Sequence, residues 1–564
     1  MNKAARCTVL ALTAAILAAC GKPQPGADQP LAYAPADTPY AYANLEPQPQ
    51  AMLDWSSRQM HEVMPVVIDM YDDLLKQQKA LGERETKILS AVLDELRGRD
   101  TIDKLRELGY KPDARTAIYG VGLVPVLRTE LGDTAAFKAM IARVEGKVGE
   151  KIATGKTGDQ EYWQFGDKDV QIVIAVQGTQ LVATLWPTDA NDTVKQLLLG
   201  ITRPSKNLLE AGTLQAIAKK YSYSSYGEGY LDFAALAQRL SNAPTGADLE
   251  IAKAIKLPTD VAKDSPVCVD EAKTIVQKFP RIVFGAESYA PPQIRIAMQF
   301  ETEPALAQAL MAALTPAPGT GAPAEGLFDV SLATPLLKLK EFWLKQADAV
   351  AAKPYACPEF AGLNEMFAKS KENLNATIPP PFSDLTGVRV TLDKLEPRKD
   401  SKVPDFSSRM LIASNNPLAA VGMAQMAVPQ LKDLKIAADG KPVALPASLL
   451  PPSAQLPPVW LAMTDKAIAM SAGQGSETTL GTYFAAPPSA TPVFLRMHFA
   501  GALYGLFGKY ADVMQAAMPA AQKDQFAAQT KVFSLYEKMI RSGEFTFEAN
   551  PNGIGMRETV NLGD

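Results

Sequence analysis

Histidine is nearly missing from this chain: 564 residues contain two, His61 and His498. A Ser-His-Asp triad or a histidine-rich metal site would have to use one of them, so neither chemistry is well supplied. Cysteine is also scarce, at four, with no CxxC spacing. No excess of basic residues exists, since 57 Lys+Arg face 61 Asp+Glu for a formal charge of −4. Nothing is left over to neutralise phosphates, which argues against a nucleic-acid partner. Beyond residue 20, no segment reaches the roughly 18 consecutive apolar residues of a membrane span. Apolar content itself is ample, at 47%. That excludes disorder for most of the chain, and the length supports two to four domains with a large core.

The N-terminus carries the clearest signal. Lys3 and Arg6 precede an apolar run from Val9 to Ala19, which ends in Leu17-Ala18-Ala19-Cys20. The run is too short to span a bilayer and fits the apolar region of a signal peptide. These residues resemble the lipobox of bacterial lipoproteins. The resemblance implies removal of residues 1–19 and acylation of Cys20 by diacylglycerol and an amide-linked chain such as palmitate. Loss of Lys3 and Arg6 would then move the formal charge from −4 to −6. Gly21 and Lys22 stand where inner-membrane lipoproteins carry Asp, which implies the outer membrane, facing the periplasm.

Residues 20–34 are rich in Pro, Gly and Gln and read as a tether. A second breaker-rich stretch, 316–326 (PAPGTGAPAEG), reads as a linker between domains at 35–315 and 327–564. A third, Pro446 to Pro458, reads as a surface loop. The order of elements repeats across 316–326. Each half opens with a strand (38–45, 327–332) and continues with helical patterns (50–108, 335–374). Strand-to-helix units follow at 126–144 and 410–428. Next come a strand pair and helix (170–200, 459–485) and a further strand-helix unit (230–240, 495–506). Each half closes with a hairpin, 281–300 and 545–562. Asp133, Asn415 or Asn416, Thr188 or Asp189, and Thr302 are placed to cap helices, as are Gly473 and Gly475. The expected fold is α+β: two duplicated domains of mainly antiparallel sheet, with helices packed on one face. This order resembles exported bacterial lipoproteins built from repeated sheet-helix modules, a likeness that implies no activity.

With Cys7 removed and Cys20 acylated, Cys268 and Cys357 are the remaining thiols, and an oxidising compartment favours a disulfide between them. Gly149–Thr157 (GEKIATGKT) has five residues where a phosphate loop has four, and reads as a solvated loop. His61-Glu62 has no second histidine, and His498 reads as a strand histidine. Ser476 reads as part of a helix start, and the pairs Asp72-Asp73 and Asp167/Asp169 as solvated carboxylates. No metal ligands or cofactor site emerge. Tyr221, Tyr223, Tyr226 and Tyr230 form the best candidate recognition patch, able to stack on sugar rings or anchor a partner; packing across a sheet is the plainer role. The 50–75 helix has a Met-rich apolar face suited to core packing or to varied partners. The function expected is a non-catalytic, lipid-anchored binding or scaffolding role toward an envelope protein, glycan or lipid. The alternatives are a periplasmic carrier of an apolar ligand and, third, an envelope hydrolase.

Overall fold

A computed structural model describes residues 28–563 except 78–81, 167, 242–245, 257–264, 397–403, 450–455, 512–514 and 516–517. Cys20 and part of the 446–458 loop therefore lie outside the described residues. The first half contributes β1 (Tyr40–Ala43), β2 (Thr116–Val121), β3 (Val124–Glu130), β4 (Ala153–Thr157) and β5 (Gln160–Gly166). It continues with β6 (Val170–Gln177), β7 (Gln180–Pro187), β8 (Glu228–Asp232), β9 (Arg281–Ala290) and β10 (Gln293–Glu301). The second contributes β11 (Phe328–Ala333), β12 (Leu385–Glu396), β13 (Asp405–Ser414), β14 (Val443–Ala444) and β15 (Val459–Met463). After these come β16 (Ala467–Ala472), β17 (Val493–Ala500), β18 (Ile540–Asn550) and β19 (Gly553–Leu562).

Among the described residues, nineteen strands join one sheet, and each of their pairings is antiparallel. Outward from the centre, the first half reads β10-β9-β8-β1-β2-β3-β7-β6-β5-β4. The second reads β19-β18-β17-β11-β12-β13-β16-β15-β14. Strand for strand these are the same order, apart from the extra β4. The halves meet where β10 pairs with β19 over nine residues, Gln293–Asn561 through Glu301–Gly553. The turn pairs Ala290/Gln293 and Asn550/Gly553 are 260 residues apart, and so are Ala297 and Arg557, which face each other across the seam. Equivalent residues thus meet at a local two-fold axis, as in the isologous interface of a dimer.

Local chemistry explains many boundaries. Asp133 accepts from the N–H of Ala135 (2.8 Å) and Ala136 (3.0 Å) to start helix Thr134–Val148, which Gly149 ends at φ +83°. Asn416, not Asn415, caps helix Pro417–Ala427 through Ala419 N–H. The cap of helix Asp192–Leu199 is Asn191 rather than Thr188 or Asp189, because the chain first completes a turn after β7. Thr302 does not cap: helix Pro304–Ala313 begins one residue later than the sequence suggests, so Glu303 holds the cap position, and its side chain makes no capping hydrogen bond. The expected 50–108 helical region divides into Gln50–Gln77, Glu83–Leu96 and Ile102–Arg106, and 335–374 into Leu336–Ala352 and Ala361–Asn375.

The α+β class and antiparallel sheet are as the sequence predicts, and helix coverage is wider than one face. Val173 and Ala175 pack into a core with Val194, Leu198, Leu208 and Leu214, from helices on one side. Their neighbours Ile174 and Val176 pack with Phe137, Ile141, Val144 and Ile88, from helices on the other. Alternate residues of one strand point to opposite faces, so β6 is covered on both. Residues 316–326 connect the halves without hanging free. Ala317 is fully buried, its N–H bonds Val493 O (2.8 Å), and Gly321 N–H bonds Pro487 O (2.9 Å).

The halves are also cross-linked by a disulfide. Cys268, in helix Pro266–Lys278, is bonded to Cys357, with Cα atoms 4.8 Å apart. Glu271 accepts from the N–H groups of Ala356 (2.7 Å) and Cys357 (3.0 Å) beside it.

Candidate binding surface

The four tyrosines of 221–230 do not form one patch. Ser222 adopts a left-handed conformation at the end of helix Thr213–Tyr221 and turns the chain. Tyr230 then enters the core and donates to Thr38 O (3.0 Å), while Tyr226 approaches Tyr289. Tyr221 and Tyr223 stay together, stacked at 5.6 Å. They form one wall of a crevice of about 110 Å³ at the seam, whose other lining includes Ala297, Gln299, Gly555, Glu548, Asn550, Asn552, Arg557 and Glu287. Arg557 is held by Glu287 through Nε (2.9 Å) and Nη2 (3.0 Å). Tyr221 donates to Glu301, which also takes Arg281 Nε (2.9 Å) and Lys220 Nζ (2.8 Å). Burial alone would raise the Glu301 pKa, but these donors hold it down at about 2.

None of the remaining described sequence candidates lines the crevice, and Asp167 lies outside the described residues. Gly149–Thr157 forms the end of a helix and edge strand β4. His61 is exposed on its helix, and Asp72 and Asp73 pair with Lys76 at 3.1 and 3.6 Å. His498 is half-buried in β17, where desolvation lowers its pKa. Ser476 Oγ donates to Gly473 O (2.8 Å) within a tight turn.

Two features escaped the sequence reading. The first is a charged interior in the second half. Asp329, Ser331, Arg389, Thr391, Arg409, Ser471 and Arg496 are all buried on one face of β11, β12, β13, β16 and β17. Arg409 bonds Asp393 and Glu325 (each 2.6 Å to Nη2), and Tyr483 lies under both Arg389 and Arg409.

The second feature is the opposite face, which is apolar and, among the described residues, only partly covered. Strand register places Trp163, Ile174, Ala183, Leu127, Ile118, Tyr42, Gly229, Phe284 and Met298 side by side across the first half. The row crosses the seam to Met556 and continues through Phe547, Leu495, Leu332, Val388, Ile412, Ile468 and Met463. A parallel row runs Ile296, Glu558, Phe545, Met497, Val330, Val390, Met410 and Met470. Helices cover the rows only in places. Helix Thr134–Val148 sits over the Trp163–Ile174 end, Met52 and Trp55 pack near Ile294 and Val560, and Tyr504 lies against Phe499. Between Ile118 and Ile468, twelve strands at about 4.8 Å spacing make a strip roughly 50 Å long. On it Ile118 is 39% exposed, Tyr42 38%, Leu332 43% and Met497 36%. Leu418 and Met426 of helix Pro417–Ala427 are more exposed still. An antiparallel sheet with one solvated face ordinarily turns polar residues outward. Glu558 is the single charge in these two rows, and burial raises its pKa.

No described helix is long and apolar enough to cross a membrane. Comparison with protein-family models, curated proteins and solved structures finds no match to this chain.

Proposed function

We propose that the chain is a non-catalytic, lipid-anchored protein of the cell envelope that binds an apolar ligand, a lipid acyl chain, along the open face of its sheet. The anchor comes from the Leu17–Cys20 motif, and the outer membrane facing the periplasm is its proposed site. One observation carries the ligand class: between Ile118 and Ile468 the apolar strip runs about 50 Å and is only partly covered among the described residues, with Ile118, Tyr42, Ile296, Leu332 and Met497 exposed along it. Contiguous exposed apolar surface on that scale marks a binding site rather than ordinary surface. Each methylene buried contributes about 0.8 kcal/mol, against an association cost of about 4–15 kcal/mol, so a useful ligand must lie along many residues. A long strip with Glu558 as the single charge in its two rows provides that length.

The test uses the unacylated Cys20→Ser chain and a fluorescent fatty acid, cis-parinaric acid. Saturable binding is expected, and Leu332→Glu and Met497→Glu should each weaken it by about tenfold or more, because a carboxylate against the chain loses its hydration. Absence of binding, or binding unchanged in both variants, overturns the proposal.

A further inference from the structure

The seam crevice is lined mainly from the face opposite the apolar strip, by Ala297, Gln299 and Arg557, which alternate along β10 and β19 with Met298 and Met556 of the strip; these two methionines also border it. Acyl binding gives it no role. Four of its groups make no hydrogen bond or ion pair among the described residues: the Tyr223 hydroxyl, the Glu548 carboxylate, the Asn552 side-chain amide and Nη1 of Arg557. Tyr223 is nine-tenths buried, at 9% exposure. Its ring is fixed between Gly285, where a Cβ would lie 2.4 Å from it, and Tyr221.

We propose that this crevice binds a saccharide unit through its hydroxyl groups. The reasoning is by matching donors and acceptors. Arg557 Nη1 can only donate, a carboxylate such as that of Glu548 accepts, and Tyr223 and Asn552 do both. An anion would meet Glu548, a cation would meet Arg557, and an apolar group would leave all four unsatisfied. Neighbouring sugar hydroxyls each donate and accept, so one ring satisfies the whole set. Stacking is not the mode of contact, because Tyr223 is covered on both sides and Lys220 Nζ sits 4.7 Å from the Tyr221 ring centre. The tyrosines contribute an edge and a fixed hydroxyl. A volume of about 110 Å³ admits a few waters or the hydroxylated edge of one ring, not a buried oligosaccharide. The local two-fold axis makes no second copy: Arg557 and Ala297 are equivalent positions with different side chains. The segment holding Tyr221 and Tyr223, between Gly200 and β8, also has no counterpart in the short connection from Ala485 to β17.

The experiment is saturation-transfer NMR on the full Cys20→Ser chain, with methyl glucoside and N-acetylglucosamine at millimolar concentration. Transfer to ring protons of at least one sugar is expected. Tyr223→Phe, Glu548→Gln and Asn552→Ala should each weaken binding by about tenfold, with unchanged melting temperature for at least the change at partly exposed Asn552. Leu332→Glu should leave sugar binding intact, which separates this site from the acyl site. No transfer to either sugar, undiminished transfer in all three variants, or displacement of sugar by inorganic phosphate overturns the proposal.

Discussion

Arg389 grips Asp329 by two parallel hydrogen bonds, Nε to Oδ1 at 3.1 Å and Nη2 to Oδ2 at 2.7 Å, and neither residue is exposed. Arg496 Nη2 approaches the same Oδ2 at 3.4 Å, and Glu325 N–H donates to it at 3.0 Å. Burial alone would raise the Asp329 pKa; the arginine bonds overcome it and hold the carboxyl below its ordinary value. Asp329→Asn would take from buried Arg389 and Arg496 their nearest counter-charge, leaving Arg389 only Glu325 at 3.9 Å, so a loss of about 3–5 kcal/mol is expected. Replacing both partners, Asp329→Leu with Arg389→Met, should cost less than the sum of the single changes. Urea denaturation measures both, and a single variant within about 1 kcal/mol of the parent would contradict the expectation.

The same strand shows where sequence reading stops. Phe328–Ala333 alternates apolar and polar side chains, and alternation alone predicts the apolar set inside. Instead Asp329 and Ser331 have no exposure, while Leu332 is 43% exposed. Alternation reveals that the two sets face opposite ways, not which way is covered. The cover comes from 316–326, whose packing across the strands depends on contacts such as Ala317 with Val493. The closing hairpins, the Asp133 cap and the repeated element order were readable because their causes are local. The seam was not: nothing near Ala297 announces a partner 260 residues away. The apolar strip is likewise a product of register across many strands, invisible until Leu332, Leu495 and Phe547 are set side by side.

Glu228 gives the fold an alkaline weakness. It is fully buried in β8, its two carboxylate oxygens have no hydrogen-bond partner, and burial pushes its pKa up to about 8. In the unfolded chain the group ionises near pH 4.3. Between those values the unfolded state has released a proton that the folded state keeps, so stability falls as pH rises. Below about pH 4 the effect vanishes, and above about pH 8 it is complete. Glu228→Gln should therefore be more stable than the parent at about pH 9, by up to about 4 kcal/mol, with the gain shrinking toward pH 4. Glu301 acts in the opposite sense. Its pKa of about 2 contributes stability above the unfolded value that is lost as pH falls toward 2. Melting curves across pH check both, and a Gln variant with no alkaline gain would refute the assignment to Glu228.

Cys268 and Cys357 close a loop of 89 residues that includes the whole 316–326 connection. Cross-linking a loop of that length restricts the unfolded chain, and losing a native bond of this kind typically costs about 2–5 kcal/mol. The double change Cys268→Ser with Cys357→Ser should fall in that range, with the β10–β19 pairing retained. Denaturation under oxidising and reducing conditions provides the comparison. Equal stability of the reduced parent and the double variant is expected, and an oxidised parent no more stable than either would refute a stabilising role.

On the proposed reading, acylation of Cys20 would place the apolar face beside a membrane rather than free in solution. A single acyl chain holds a protein only marginally, while several together hold it stably, at about 0.8 kcal/mol per buried methylene. The lipobox resemblance implies three chains on Cys20, enough for stable anchorage of a body whose described helices provide no membrane span. Cys20→Ser should abolish labelling by a palmitate analogue and move the protein from the detergent phase to the aqueous phase on partitioning. Acyl binding by the purified variant should be unaffected, because the strip from Ile118 to Ile468 lies wholly within the folded body. A variant that stays in the detergent phase without incorporating label would show that the apolar strip, not the lipid, holds the protein there. Leu332→Glu in the same background then separates the two attachments: it should release a chain held by its sheet face and make no difference to one held by its acyl chains.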